Sequence, residues 1–223
     1  MNFFGHAALA ASHFTQRDAA LSAELLPRLC VGAMLPDFIG MLRLRPPTIV
    51  DPTLAVGVAF HHQTDAAFHD LPGFQRLSRQ AFAWLSERQL PRGPARAVAH
   101  VGIEMLLDEV MASEDTARQA YRAALSVPLA PLVTFAGPQD AERLTALQDA
   151  LLARAQSYQT PAAELVAERI RRTLAGRPRL ATDDAGQALL GGWVTATRPL
   201  VWAEAPEVLA TLRTRLANFG EPQ

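Results

Sequence analysis

The sequence predicts an all-α protein, a single-domain helical bundle. Three observations carry this. Apolar residues recur at helical spacing from end to end, and no period-2 strand pattern of any length occurs. Pro and Gly fall at the joints between the apolar segments. With 49% hydrophobic and 19% charged residues over 223 positions, the chain is long and apolar enough to bury a sizeable core.

Residues 2–13 read as the first helix, interrupted by His6, and residues 18–30 as a second, with Asp18 near its start. The run RLCVGAMLPDFIGML is apolar after Arg28 except for Asp37 and is expected to hold a short helix after Pro36. A central helix starts after Asp51, a good N-cap, with Pro52 in the first helical position, and closes at Leu71-Pro72. Further helices are expected at 73–89, from Pro94 to residue 112, and at 115–126, 139–157, 161–175, 184–197 and 205–217. Residues 1–112 carry every histidine, and residues 113–223 read as additional packing helices.

Several functional classes lack support. The net charge of −1 offers no overall basic field for nucleic acid, and all 21 basic residues are Arg. The single Cys30 excludes an internal disulfide framework and a Cys-rich zinc site. No GxGxxG, P-loop or GxSxG motif is present. MNFFGHAALAASHF lacks a basic flank, so it is not read as a signal peptide, and no run of about 18 uncharged apolar residues predicts a transmembrane segment. A cytoplasmic location is the expectation.

The chemistry concentrates in GVAFHHQTDAAFHDLP, which packs three of the six histidines into one helix. At about 100° per residue, His61, Asp65 and His69 share a stripe with Leu54 and Val58, and His62 sits at its margin. The helix from Pro94 repeats the pattern with His100, Glu104 and Asp108. Ionisable groups on a face that should be buried are costly unless paired or bound to metal. His6, Asp37, His61, Asp65, His100 and Asp108 are therefore candidate ligands of a divalent ion (Mn, Zn, Fe or Mg), held between facing helices. Each also has a plainer role open to it. His6 suits a satisfied core histidine, Asp37 a helix cap, His62 and His69 the rim, and Glu104 a salt bridge to an Arg.

These segments resemble the acyl carrier protein phosphodiesterase family, a branch of the HD-domain-like metal hydrolases. The resemblance lies in MNFFGHAALA, VGAMLPDFIG, GVAFHHQTDAAFHDLPGFQR and EMLLDEVMA, in order over roughly residues 1–112. It implies an all-helical fold, a divalent cation (typically manganese), and His6, Asp37, His61, Asp65 and Asp108 as metal-site residues. It also implies hydrolysis of the phosphodiester linking 4′-phosphopantetheine to a serine of acyl carrier protein, or of a small phosphodiester. His62, His69 and Glu104 are the catalytic candidates. Arg43, Arg45, Arg76 and Arg79 are candidates for contacting an acidic carrier protein. The chain departs from the family pattern at Ala8, Ala33, His69, Glu104 and Glu109, and His100 has no counterpart. Two further readings stand beside this one: a zinc phospholipase C-like hydrolase, and a non-catalytic binding protein on the same scaffold.

Overall fold

The structure, a computed structural model, describes residues 1–18, 21–22, 24–155 and 160–220. The protein is all-α. Among the described residues nine helices run in the order α1 (Phe3–Arg17), α2 (Leu25–Leu42), α3 (Pro52–His69), α4 (Pro72–Glu87), α5 (Arg92–Met111), α6 (Asp115–Leu125), α7 (Asp140–Arg154), α8 (Ala163–Ala175) and α9 (Asp184–Leu216). Two-residue strands, β1 (Thr48–Ile49) and β2 (Val133–Thr134), pair antiparallel with Thr48 opposite Thr134. The residues group into two compact units. One contains Asn2–Ala67, Met111–Tyr158 and Arg213–Gln223, here the α1–α2 unit. The other contains Met1, Phe68–Val110 and Gln159–Leu212, here the α4–α5 unit.

Two helices differ most in extent from the sequence expectation, and α1 also runs on to Arg17 rather than ending at residue 13. α2 is one helix of 18 residues that begins at Leu25 and runs through Pro36, rather than a helix over 18–30 followed by a separate short one. Residues 19, 20, 23, 156 and 157 of the expected helices lie outside the described residues. α9 runs for 33 residues through both Pro199 and Pro206, where a break over 198–204 was expected. An interior proline costs roughly 3 kcal/mol in local terms. In α9 both prolines are exposed, while the buried line Leu190, Trp193, Val194, Thr197, Val201, Ala205, Val208, Leu209, Leu212 keeps helical spacing across them. Packing of that continuous stripe outweighs the local preference.

In the α1–α2 unit, α1 packs on α2 and α6, and α2 also meets α6 and α7. Asp51 caps α3 by accepting from the Leu54 amide at 2.7 Å, and Arg28 of α2 reaches the same carboxylate at 3.1 Å. β1 is tied in where the Val50 amide donates to the Leu132 carbonyl at 2.9 Å. By length and composition α2 would serve as a membrane span, with a mean hydropathy of 1.5, although it carries Arg28 and Asp37. Half of it is buried inside the protein, as in a core helix.

One close contact in this unit is between backbones. A Cβ on Gly57 of α3 would lie 2.3 Å from the Leu29 carbonyl oxygen and 2.9 Å from the Gly32 Cα of α2. A Cβ on Gly32 would lie 2.5 Å from the Leu54 carbonyl oxygen. Only glycine at both positions lets the two helices meet at this distance.

In the α4–α5 unit, α4 and α5 are joined by α8 and most of α9. Trp193 of α9 is fully buried with its ring against Gly102 of α5, where a Cβ would stand 2.1 Å from the ring. Arg76 of α4 holds Glu204 of α9 through Nε at 3.2 Å and an Nη at 2.8 Å.

Gly57→Ala should therefore destabilise the protein by about 1–3 kcal/mol, the usual cost of overpacking. Gly40→Ala, at an exposed helical site where a Cβ meets nothing within 4 Å, should be neutral or stabilising by up to about 1 kcal/mol. Urea unfolding of the two variants checks this, and equal midpoints would refute the crossing argument.

Candidate metal centre

Three helices of the α1–α2 unit each contribute one group to a buried cluster. His6 from α1 is fully buried, Asp37 from α2 is partly buried, and His61 from α3 is 7% exposed. Each offers one ligand atom, and the three atoms lie within 4.8 Å of one another. The His6 and His61 rings stand 4.0 Å apart between centroids, tilted by 34°.

The tautomer of His61 follows from its neighbour. Its Nδ1 lies 2.9 Å from the Ala33 carbonyl oxygen, which can only accept, so Nδ1 carries the proton. The neutral ring then presents the lone pair of Nε2. A carbonyl on the far nitrogen is the usual way a ligating imidazole is oriented. Burial pushes the His61 pKa down, against the opposing pulls of the Ala33 hydrogen bond and the Asp65 charge, and so favours the neutral form that ligates metal. The glycine crossing makes this possible, because Ala33 follows Gly32 and His61 lies one turn beyond Gly57.

Two imidazoles and one carboxylate form a three-ligand set. That donor set matches catalytic zinc and non-haem iron sites, and manganese accepts it too. These buried groups fit a divalent ion. Asp65, one turn beyond His61, influences its charge state but lies outside the group whose ligand atoms converge. His62 is exposed beside it, its ring 5.3 Å from that of His61 at 89°.

The central stripe is rotated from its expected position. The buried line of α3 is Leu54, Gly57, Phe60, His61, Thr64 and Phe68, so Val58, Asp65 and His69 flank it. On α5 the buried line passes through Ala95, Val98, Ala99, Gly102, Ile103, Leu106 and Leu107, with His100, Glu104 and Asp108 at its edge. Small and large apolar residues one position away fill the core better than charged ones, and the helices turn accordingly.

The remaining residues belong to the α4–α5 unit or to the surface. Glu104 Oε1 lies 3.2 Å from His69 Nε2, 3.1 Å from His100 Nε2 and 3.0 Å from the Met1 amino group, so these partners replace the expected Arg. Burial by itself would raise the Glu104 pKa. The His100 hydrogen bond and the amino-group charge prevail and hold it at about 2. Asp108 is half-buried on the next turn of α5 and belongs to this unit, whereas His6, Asp37, His61 and Asp65 belong to the other. Arg43 and Arg45 are exposed beyond the end of α2, and Arg43 is its left-handed cap with φ 52°. Arg79 is exposed on α4, and Arg76 is engaged by Glu204.

Sequence reasoning left Glu109 aside as a departure from the family pattern. It is 5% exposed, with Oε1 2.9 Å from Arg198 Nε and accepting from Trp202 Nε1 at 3.2 Å, and Oε2 3.1 Å from an Arg198 Nη. Arg198 also donates to the Pro161 carbonyl at 2.7 Å. This pair ties α5 to α9 and takes up the carboxylate. An Arg and a Trp at four-residue spacing on α9 were the sequence signal, but nothing local names their partner.

No family model matches this chain, and comparisons with curated proteins and with solved structures give no match.

Arg198→Met should cost about 3 kcal/mol or more, because it strips a buried carboxylate of its counter-ion. Adding Glu109→Gln to that variant should recover most of the loss. Thermal or urea unfolding of the two single variants and the double variant measures the coupling, and strictly additive losses would show the pair to be unimportant.

Proposed function

We propose that the chain is a metal-dependent phosphodiester hydrolase whose centre is His6, Asp37 and His61. One observation carries the reading: two imidazoles and a carboxylate from three helices converge within 4.8 Å, in a largely buried place, with one imidazole held in the ligating tautomer by the Ala33 carbonyl. Buried ionisable groups tend to be neutralised or used. The resemblance of residues 1–112 to acyl carrier protein phosphodiesterases supplies the substrate class, the phosphodiester of 4′-phosphopantetheine on a carrier-protein serine.

A divalent ion there would polarise a phosphoryl oxygen and lower the pKa of a water. His6, Asp37 and His61 would hold it. Asp65 contributes negative charge near the centre, and Ala33 keeps His61 from turning. His62, exposed on the same helix, is the group that would hand a proton to the leaving oxygen. Arg43 and Arg45 would meet an acidic carrier protein. Manganese follows from the resemblance, whereas zinc would favour the phospholipase C-like alternative.

The test is elemental analysis of protein purified without chelator, combined with hydrolysis of bis(p-nitrophenyl) phosphate and of holo-acyl carrier protein under each metal. Asp37→Ala should lose the bound metal and at least about 100-fold in kcat/KM, the scale of a few kcal/mol of transition-state stabilisation. A wild-type protein that stays metal-free in added Mn and Zn would sink the proposal and leave a binding protein as the better reading.

His62→Asn should keep the metal but lower kcat by about 10²–10⁴, with less effect on an activated nitrophenyl ester than on the carrier-protein substrate. Equal losses on both substrates would rule out its role as a proton donor.

A further inference from the structure

We infer that His69, His100 and Glu104 form a second divalent-metal site, suited to zinc, in the α4–α5 unit. The three residues share none with the centre above, and all are positions at which the chain departs from the family pattern it resembles. Each offers a ligand atom, and the three lie within 4.8 Å of one another.

The spacing is that of a coordination sphere. Glu104 Oε1 stands 3.2 Å from His69 Nε2 and 3.1 Å from His100 Nε2. Ligands at about 2.0–2.1 Å from a tetrahedral zinc are separated by roughly 3.3–3.4 Å. The two carboxylate–imidazole separations thus need to change by only a few tenths of an ångström, the His69 and His100 ligand atoms already lie within 4.8 Å of each other, and one cation replaces two shared protons.

The frame is rigid where it needs to be. His100 and Glu104 lie one turn apart on α5, which sets their separation. The Phe74 ring, itself buried, lies against both imidazoles, nearly parallel to His69 at 5.5 Å and edge-on to His100 at 5.4 Å. The outer side is open. The His69 and His100 side chains are 37% and 45% exposed, giving an ion a way in and leaving a coordination position for water. The Met1 amino group also contacts Oε1, and the carboxylate's second oxygen offers a further acceptor to an incoming ion.

The experiment is titration of the full chain with zinc alone, read by calorimetry and equilibrium dialysis. The samples are wild type, His61→Ala, His100→Ala and the double variant. Two equivalents are expected in wild type, one in each single variant and none in the double, with at least about 100-fold weaker binding at the altered site. Far-UV circular dichroism shows whether helices persist, and His69→Gln is the second variant for the same site. With Co²⁺ as probe, His61→Ala should keep tetrahedral d–d bands that vanish on adding His100→Ala. An isotherm unchanged by His100→Ala and His69→Gln would overturn the inference and leave Glu104 as an imidazole–carboxylate ion pair only. Failure of the His6 centre has a different signature: His61→Ala would leave wild-type binding intact, while His100→Ala still removed an equivalent.

Discussion

The close crossing of α2 and α3 at Gly32 and Gly57 is the constraint on which the candidate centre depends. With a Cβ at either position the helices would have to separate, since the atoms met are backbone and cannot rotate away. At this separation the Ala33 carbonyl comes within 2.9 Å of His61 Nδ1. That contact selects the tautomer and leaves the Nε2 lone pair of His61 available to a ligand. A backbone acceptor is well suited to the task, because it has no rotamer to lose and does not titrate.

Burial acts differently on the ionisable groups of this protein. Burial pushes the Cys30 thiol up to about 12, leaving it inert in the core. His61 is pushed toward neutrality by the same desolvation. Glu104 goes the other way, since the His100 hydrogen bond and the Met1 amino-group charge overcome desolvation and hold it at about 2. Glu109 is stabilised by a third means, a guanidinium and an indole brought from α9. Each carboxylate thus has a partner, and the partner decides what the group can do. Glu109 is a structural tie, whereas Glu104 faces groups that can exchange protons for a cation.

The α4–α5 unit uses the same device as the helix crossing, with a side chain as the filler. Gly102 leaves the space that Trp193 occupies, and Trp193 belongs to the buried stripe of α9 that continues past two prolines. Because Pro199 and Pro206 both face solvent, the carbonyls they leave without a helical partner can be hydrated, and the core side of the helix is undisturbed.

Much of this was legible in the sequence alone. It determined the helical class, the start of α3 at Asp51 and Pro52 and its close before Leu71-Pro72, and the set of histidines and carboxylates worth watching. Caps, helical spacing and the cost of buried charge are local properties that one chain can carry. The extents of α2 and α9 were not legible, because Pro36, Pro199 and Pro206 are breakers by local preference and only long-range packing offsets them. The sorting of the candidates was not legible either. A helical stripe read from the sequence defines a face only coarsely, and His61 and Asp65, four residues and so about 40° apart around α3, fall on the two sides of its edge. Spacing along α3 and α5 made one series of His61, Asp65, His69, His100, Glu104 and Asp108. The tertiary structure divided it, gathering His6, Asp37 and His61 in one unit and His69, His100 and Glu104 in the other, because which side chains converge depends on how helices far apart in sequence cross, as Gly32 and Gly57 show for the first cluster.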